Sequence, residues 1–194
     1  MKHYIESYFQ GLQNTLRSLQ ASDSAGEPIE FISAVETVAQ HVIKQSDAGH
    51  KIIFIGNGAS AAIASHMSTD YWKNGGVRAQ AFNDSSLLTC ISNDYGYKHV
   101  FEKPIEMFSD PGDILFAISS SGKSENILRG VEAARLKNCQ VITFSGFKDD
   151  NPLRAMGDIN FYAPSPEYGP VEILHLSICH CIIDTIITSR KACS

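Results

Sequence analysis

Two short loops rich in glycine and serine constrain the fold of this chain most, because each stands between an apolar run and a helical pattern. The first is Gly56–Ser60, with the sequence GNGAS, and the second is Ser119–Ser124, with the sequence SSSGKS. A loop that leads from a strand into a helix presents unpaired N–H groups and the positive end of the helix dipole. Glycine lets a ligand approach the backbone, and serine hydroxyls add donors without bulk. Two such loops predict a site for a phosphorylated small molecule; the alternative is a serine turn that only caps a helix.

Apolar runs and helical patterns alternate along the chain from residue 51 onward. This alternation predicts an α/β fold with a parallel sheet and right-handed crossovers. Ligands of such sheets bind at the carboxyl ends of the strands, where both loops fall. The predicted strands are Lys51–Ile55, Ala79–Phe82, Asp113–Ser119, Gln140–Ser145 and Ile159–Ala163. The predicted helices run from the first loop to about Lys73, over Ser85–Ser92, His99–Phe108, Ser124–Lys137 and Asn151–Met156, and onward from Pro170.

Two amphipathic helical patterns precede this core. Apolar residues recur at helical spacing from Tyr4 to Leu19 and from Phe31 to Val42, and the segment Ala21–Pro28 between them is the one linker candidate. The apolar faces of these helices need a cover. Packing on their own domain and packing against a partner subunit are both open.

Composition places the chain among ordinary globular proteins of one domain. It has 194 residues, 43% of them hydrophobic, and a net charge of −5, which favours neither nucleic acid nor an anionic membrane as a partner. We expect no signal peptide at the N-terminus and no membrane span, because the apolar runs are far shorter than about 20 residues. Five cysteines without a CxxC pair favour a reduced, cytoplasmic protein, and Cys179 and Cys181 alternate around one helix rather than forming a metal site.

Four ionisable residues fall on two predicted helices in pairs. His66 and Asp70 are four residues apart, and Glu172 and His180 are eight apart, so each pair shares a helix face. Two carboxylates and two histidines suffice for a tetrahedral zinc site or an acid/base pair. Each residue alone also suits an ordinary helix surface. Asp94, in the turn-like run Asn93–Gly96, either binds sugar hydroxyls or braces the turn.

With these features in place, the chain resembles single-domain sugar isomerase (SIS) proteins, and most of all the phosphoheptose isomerases. These enzymes interconvert sedoheptulose 7-phosphate and D-glycero-D-manno-heptose 7-phosphate, in the biosynthesis of lipopolysaccharide or capsule heptose. The resemblance spans nearly the whole chain. The residues that carry it are the two loops, His66, Asn93–Gly96, Gly112-Asp113, Glu172 and His180.

The resemblance implies a flavodoxin-like, three-layer α/β fold with a five-stranded parallel sheet, in a single SIS domain over residues 1–194. It implies a homotetramer with active sites at subunit interfaces, in which the helices at about 1–48 serve packing and oligomerisation. It also implies one zinc ion per subunit, with His66, Asp70, Glu172 and His180 as ligands. Asp70 would act as the base and His180 as the acid of an enediol mechanism. The implied substrate and phosphate contacts are Asn57, Ser60, Asp94, Ser119, Ser120, Ser121, Ser124 and Glu172.

Three positions depart from the family pattern. Asp70 stands where the family has a glutamate, Glu172 where it has a glutamine, and Asn74 where it has an arginine. The run Glu167–Pro170 also differs from the usual one before the last helix. A non-catalytic SIS regulator that binds a sugar phosphate, a protein-binding scaffold and an isomerase of another phosphosugar are therefore the alternatives.

Overall fold

The computed structural model describes residues 1–192, so Cys193, one of the five cysteines, lies outside the described residues. Seven α-helices and seven strands follow one another along this part of the chain. The helices are α1 (Lys2–Arg17), α2 (Phe31–Asp47), α3 (Ala59–Lys73), α4 (Ser85–Tyr95), α5 (Glu102–Phe108), α6 (Glu125–Leu136) and α7 (Tyr168–Ala192). The strands are β1 (Gln20–Asp23), β2 (Pro28–Ile29), β3 (Ile52–Gly56), β4 (Ala79–Ala81), β5 (Ile114–Ser119), β6 (Gln140–Gly146) and β7 (Ile159–Ala163). Short 3-10 turns cover Tyr97–His99 and Pro152–Ala155.

All strands belong to one sheet, in the order β2-β1-β7-β6-β5-β3-β4. The five strands from β3 to β7 pair in parallel, which confirms the predicted α/β fold and its parallel core. Strand β1 adds to β7 in antiparallel fashion, with Ala21 opposite Phe161, and β2 pairs antiparallel with β1.

The prediction of a linker over Ala21–Pro28 is therefore wrong. This segment is a hairpin that extends the sheet, and Ala21 and Ser22 are each only 5% exposed. Its strands are short and polar, so they lack the alternating apolar pattern by which a strand is recognised. Pairing with β7, which is remote in sequence, is what orders them.

Helices cover both faces of the sheet, and the resulting core has two halves. On one face, Phe54, Phe116, Phe144 and Phe161 point toward α2, α3 and α7. On the other face, the side chains of Ile53, Ile55, Leu115 and Val141 pack against residues of α5 and α6. The alternation of side chains along each buried strand thus feeds two separate apolar layers, as expected of a three-layer fold.

The final helix is long and apolar. Over an 18-residue window the mean hydropathy of Tyr168–Ala192 reaches 1.6, so by length and composition alone this helix could cross a membrane. The sequence-based expectation missed this because polar residues interrupt its apolar runs. In the fold, α7 packs on α2 and α3, where Ile178 and Ile182 are buried, and Val171 and Leu174 are buried in a smaller cluster with Ala163. This is the packing of a core helix.

The two N-terminal helices differ in how far they are covered. Helix α2 buries Val35, Val38 and Val42 against its own domain. In α1, Thr15 is the one buried residue, and Tyr4 and Phe9 are more than half exposed.

Candidate active site

The first loop is a tight turn between β3 and α3. A Cβ atom on Gly56 would lie 2.5 Å from the backbone carbonyl of Ser60, so only glycine lets the strand end pass so close to the first helical turn. Ser60 is buried at that turn, with 4% of its surface exposed. The loop therefore brings a hydroxyl and a helix N-terminus to the carboxyl end of β3.

The second loop lies beside the first, because β3 and β5 are neighbours and Gly56 is in register with Ile118. Gly122 has a φ of +62°, and an added Cβ would lie 1.9 Å from Asn151 Oδ1. Ser124 is the N-cap residue of α6, yet its side chain makes no capping hydrogen bond. Its hydroxyl instead accepts a long hydrogen bond from Ser119 Oγ, at 3.4 Å. If the loop only capped the helix, the Ser124 hydroxyl would accept a hydrogen bond from a backbone N–H of the first helical turn.

Both loops line one cavity of about 210 Å³. Its walls are formed by Asn57, Gly58, Ala59, Ser60, Ile118, Ser119, Ser120, Ser121, Ser124, Tyr168 and Glu172. Within residues 1–192, the charged side chain that reaches this wall is Glu172; Lys123 is exposed and does not line it. The cavity thus offers neutral donors and helix N-termini rather than cations, which is an arrangement that binds phosphate.

A second cluster of polar groups lies on the facing helices α3 and α7. His66 Nε2 is 3.4 Å and His180 Nδ1 is 3.8 Å from Asp70 Oδ2. The three ligand atoms lie within 4.8 Å of one another. His66 keeps 55% of its side chain exposed, so the cluster is open on one side. Asp70 Oδ1 accepts a hydrogen bond from Asn74, at 3.3 Å.

This cluster fits a divalent metal by its donor set. Two imidazole nitrogens and one carboxylate oxygen are the three protein ligands of many zinc sites that keep an open position. Tetrahedral ligands at about 2.1 Å from zinc are about 3.4 Å apart, which is close to the two distances from Asp70 Oδ2 to the histidine nitrogens. His66, Asp70 and His180 can therefore hold zinc with small side-chain movements.

Glu172 and Asp94 lie elsewhere. Glu172 lines the serine cavity and is not in the cluster, because eight residues of helix place it about 12 Å from His180 along α7. Asp94 does not line the cavity. The run Asn93–Tyr95 forms the last turn of α4, and the Asp94 carboxylate accepts a hydrogen bond from Asn93 and contacts Cys90 Sγ at 3.7 Å. The prediction of a turn is wrong for Asn93–Tyr95, since α4 continues to Tyr95 and Gly96 is its C-cap.

His175 belongs neither to the cavity wall nor to the cluster of His66, Asp70 and His180. The ring is fully buried against Phe144, and Nε2 lies 3.0 Å from the carbonyl oxygen of Ser145. Burial away from water lowers the pKa of His175 to about 4, because the charged form loses its hydration there. His175 is thus neutral at physiological pH and serves the packing of α7 on β6.

Three residues of the site escaped the sequence reasoning. Tyr168 lines the cavity and packs its ring on Phe147, with ring centroids 4.8 Å apart. Asn126 and Tyr97 hydrogen-bond the side chain of Asn57. For Asn126 a weak signal exists, since an amide in the first turn after a ligand-binding loop is a candidate support. Tyr97 carries no local signal.

The fold and the cavity define the class of protein to which the chain is similar. Residues 8–146 match the profile of the SIS domain. The phosphoheptose isomerase of Helicobacter hepaticus is 36% identical over 169 residues, which are 84% of this chain and 86% of that protein. The chain therefore belongs to the phosphoheptose isomerase family of SIS domain proteins.

Solved structures agree with this membership. The phosphoheptose isomerase of Neisseria gonorrhoeae has a TM-score of 0.84 and 28% identity, and the alignment covers 95% of this chain and 98% of that one. A phosphoheptose isomerase of Francisella tularensis has the same TM-score and identity, with 97% and 98% covered. The predicted family resemblance and fold class are confirmed; the hairpin β1–β2 adds two strands to the five expected.

Proposed function

We propose that this protein is an aldose–ketose isomerase that converts sedoheptulose 7-phosphate to D-glycero-D-manno-heptose 7-phosphate. The observation that carries the proposal is the joint placement of a phosphate-type cavity and a His–Asp–His cluster on the same two helices. Ser60 and His66 are six residues apart on α3, a rise of about 9 Å. This spacing supports a substrate whose phosphate and reacting carbons are separated by several bonds.

The two loops hold the phosphate in this proposal. Ser60, Ser119, Ser120, Ser121 and Ser124 supply hydroxyls and the first turns of α3 and α6 supply N–H groups. Binding energy from this remote group positions the reacting carbons. Asn57 adds an amide at the cavity wall.

Proton transfer falls to the cluster. Asp70 takes the proton from the hydroxyl-bearing carbon next to the open-chain carbonyl and leaves an enediolate. His180, as the acid on the other side, then returns a proton to the neighbouring carbon, while the hydroxyl proton passes to the former carbonyl oxygen. Asp70 has the lone pairs for this, because a carboxylate accepts at about four sites. Zinc, one per subunit on His66, Asp70 and His180, would polarise the substrate oxygens when bound. By its position in the family pattern Glu172 is the fourth ligand. Within one chain, however, its side chain lines the phosphate-type cavity and lies outside the cluster.

Assembly follows from the same family. We infer a single domain over residues 1–194 and a homotetramer with interfacial active sites, in which the helices at about 1–48 take part. The exposed Tyr4, Ile5 and Phe9 of α1 and the open side of the cluster support this. A cytoplasmic location is supported by Cys90, Cys139, Cys179 and Cys181, which are all free thiols.

The test is to incubate the purified protein with sedoheptulose 7-phosphate, with and without added zinc, and follow the products by NMR in deuterated water. Conversion with deuterium at the carbon next to the carbonyl is the expected result, and Asp70→Asn should abolish it. A panel of pentose 5-phosphates tests the alternative of an isomerase of another phosphosugar, which would convert one of these and not sedoheptulose 7-phosphate. Binding without conversion of any substrate would favour the non-catalytic sugar-phosphate regulator, and no binding at all would leave the protein-binding scaffold.

A further inference from the structure

The side chain of Asn57 is fixed by a network that joins the first loop to the first turn of α6 and to the segment that carries Tyr97. Asn57 Nδ2 donates to Asn126 Oδ1 at 2.9 Å, and Asn126 Nδ2 donates back to Asn57 Oδ1 at 2.8 Å. The hydroxyl of Tyr97 donates to the same Asn57 Oδ1 at 2.9 Å. Asn126 is buried, with 4% of its surface exposed, whereas Tyr97 is 55% exposed.

The direction of every hydrogen bond in this network follows from one backbone group. The N–H of Ile127 donates to Asn126 Oδ1 at 3.0 Å, so the oxygen of that amide must face the helix backbone. The Nδ2 group of Asn126 is then available to Asn57, and Asn57 must accept its hydrogen bond through Oδ1. Because a carbonyl oxygen has two lone pairs, the bonds from Asn126 and Tyr97 fill Asn57 Oδ1.

One N–H of Asn57 remains. Of the two hydrogens on Nδ2, one is used by Asn126, and the other has no partner among residues 1–192, on a side chain that lines the cavity. Asn57 therefore offers the cavity a donor and no free amide acceptor. Such a wall suits an anion and disfavours a hydroxyl group that must donate.

The backbone of Tyr97 is anchored by the buried residues that follow it in the chain. It opens the 3-10 turn Tyr97–His99, and the next two residues, Val100 and Phe101, are buried at 0% and 1% exposure. The tyrosine thus reaches the loop from an anchored segment, with only its hydroxyl needed for the contact.

We propose that Tyr97 is a positioning residue for phosphate binding, whose hydroxyl saturates Asn57 Oδ1 so that the Asn57 side chain presents only a donor to the cavity. This inference rests on the proposed function of the cavity as a phosphate site. Removal of the hydroxyl leaves Asn57 held by Asn126 alone and frees an acceptor lone pair beside the ligand.

The experiment compares Tyr97→Phe with Tyr95→Phe, a matched loss of a hydroxyl from an exposed tyrosine for which the described residues show no hydroxyl hydrogen bond. The Kd for inorganic phosphate is measured by calorimetry on the full chain, together with the Tm. For Tyr97→Phe we expect Kd to rise about three- to tenfold, as for the loss of one hydrogen bond, at an unchanged Tm. With sedoheptulose 7-phosphate, KM should rise by the same factor while kcat stays within twofold.

An unchanged phosphate Kd in Tyr97→Phe, or an equal loss in Tyr95→Phe, overturns the inference. A wild-type protein that does not bind phosphate overturns it together with the anion cavity. A wild-type protein that binds phosphate, is weakened by Tyr97→Phe and isomerises no sugar phosphate overturns the proposed function alone.

Discussion

His66 and His180, which come from two different helices, face each other across Asp70 with ring centroids 5.5 Å apart. Helix α3 supplies the first and α7 the second, so the packing of these helices creates the cluster. The spacing of His66 and Asp70 in the sequence fixes only half of this arrangement.

Zinc binding should depend on both histidines. We expect one zinc per chain after dialysis, measured by elemental analysis, and a loss of affinity in His66→Ala or His180→Ala that exceeds the about 10–100-fold cost of removing an outer-shell partner. His3→Ala, a change at an exposed histidine, is the control. Zinc retained at full stoichiometry in His66→Ala would rule out this cluster as the site.

The serine hydroxyls should matter through the phosphate. Ser121→Ala and Ser124→Ala each remove one donor, and hydrogen bonds to a charged group are worth about 1.5–3 kcal/mol. We expect the Kd of inorganic phosphate to rise about tenfold or more in each variant. Ser86→Ala, on the exposed N-terminus of α4, should leave it unchanged. Equal affinity in all three variants would remove the assignment of the loop.

The carboxylate of Glu172 should oppose anion binding. It lines the same cavity as the serines, and the described residues give it no hydrogen-bond or ion-pair partner. In a partly solvated site, the repulsion between this carboxylate and an anion bound in the same cavity costs on the order of 1 kcal/mol of binding free energy. Glu172→Gln should therefore tighten phosphate binding about three- to tenfold at pH 7.5, and salt should shrink the difference. Weaker binding in this variant would show instead that Glu172 holds the ligand.

Acid should destabilise the fold through His175. Its pKa is about 4 in the folded state against 6.5 ordinarily, so between these values the unfolded chain takes up a proton that the folded chain refuses. The free energy of unfolding falls as the pH drops from about 6.5 to 4, by at most about 1.4 kcal/mol per pH unit, and this contribution levels off below pH 4. Urea titrations at several pH values give the free energy of unfolding as a function of pH. The fall of this free energy between pH 6.5 and 4 should be smaller in His175→Gln and unchanged in His3→Gln. An identical fall in wild type and His175→Gln would contradict the assignment.

Local patterns were enough for the elements whose partners are adjacent in the chain. The buried strands can be predicted from their apolar runs, as in Ile52–Gly56, and the two loops from their glycine and serine residues. Helix periodicity also placed His66 and Asp70 on one face. Their meeting with His180 was expected from the family resemblance, since spacing on α7 could not say what the helix packs against.

The rest depends on contacts between remote segments. The hairpin at Gln20–Ile29 owes its order to β7, and Tyr97 reaches Asn57 across 40 positions of sequence. Glu172 and His180 share a helix face, which predicts one site for both, yet the rise of the helix separates them by about 12 Å. Such relations need the path of the chain, which residue types and periods do not contain.

The hairpin also decides how the sheet ends. Without it, β7 would present a row of open N–H and C=O groups to any passing strand. The outermost strand is instead only two residues long and begins with Pro28, which has no N–H to donate. Short, proline-bearing borders resist the edge-to-edge joining that leads to aggregation, so this small addition protects a chain rich in buried β-branched residues.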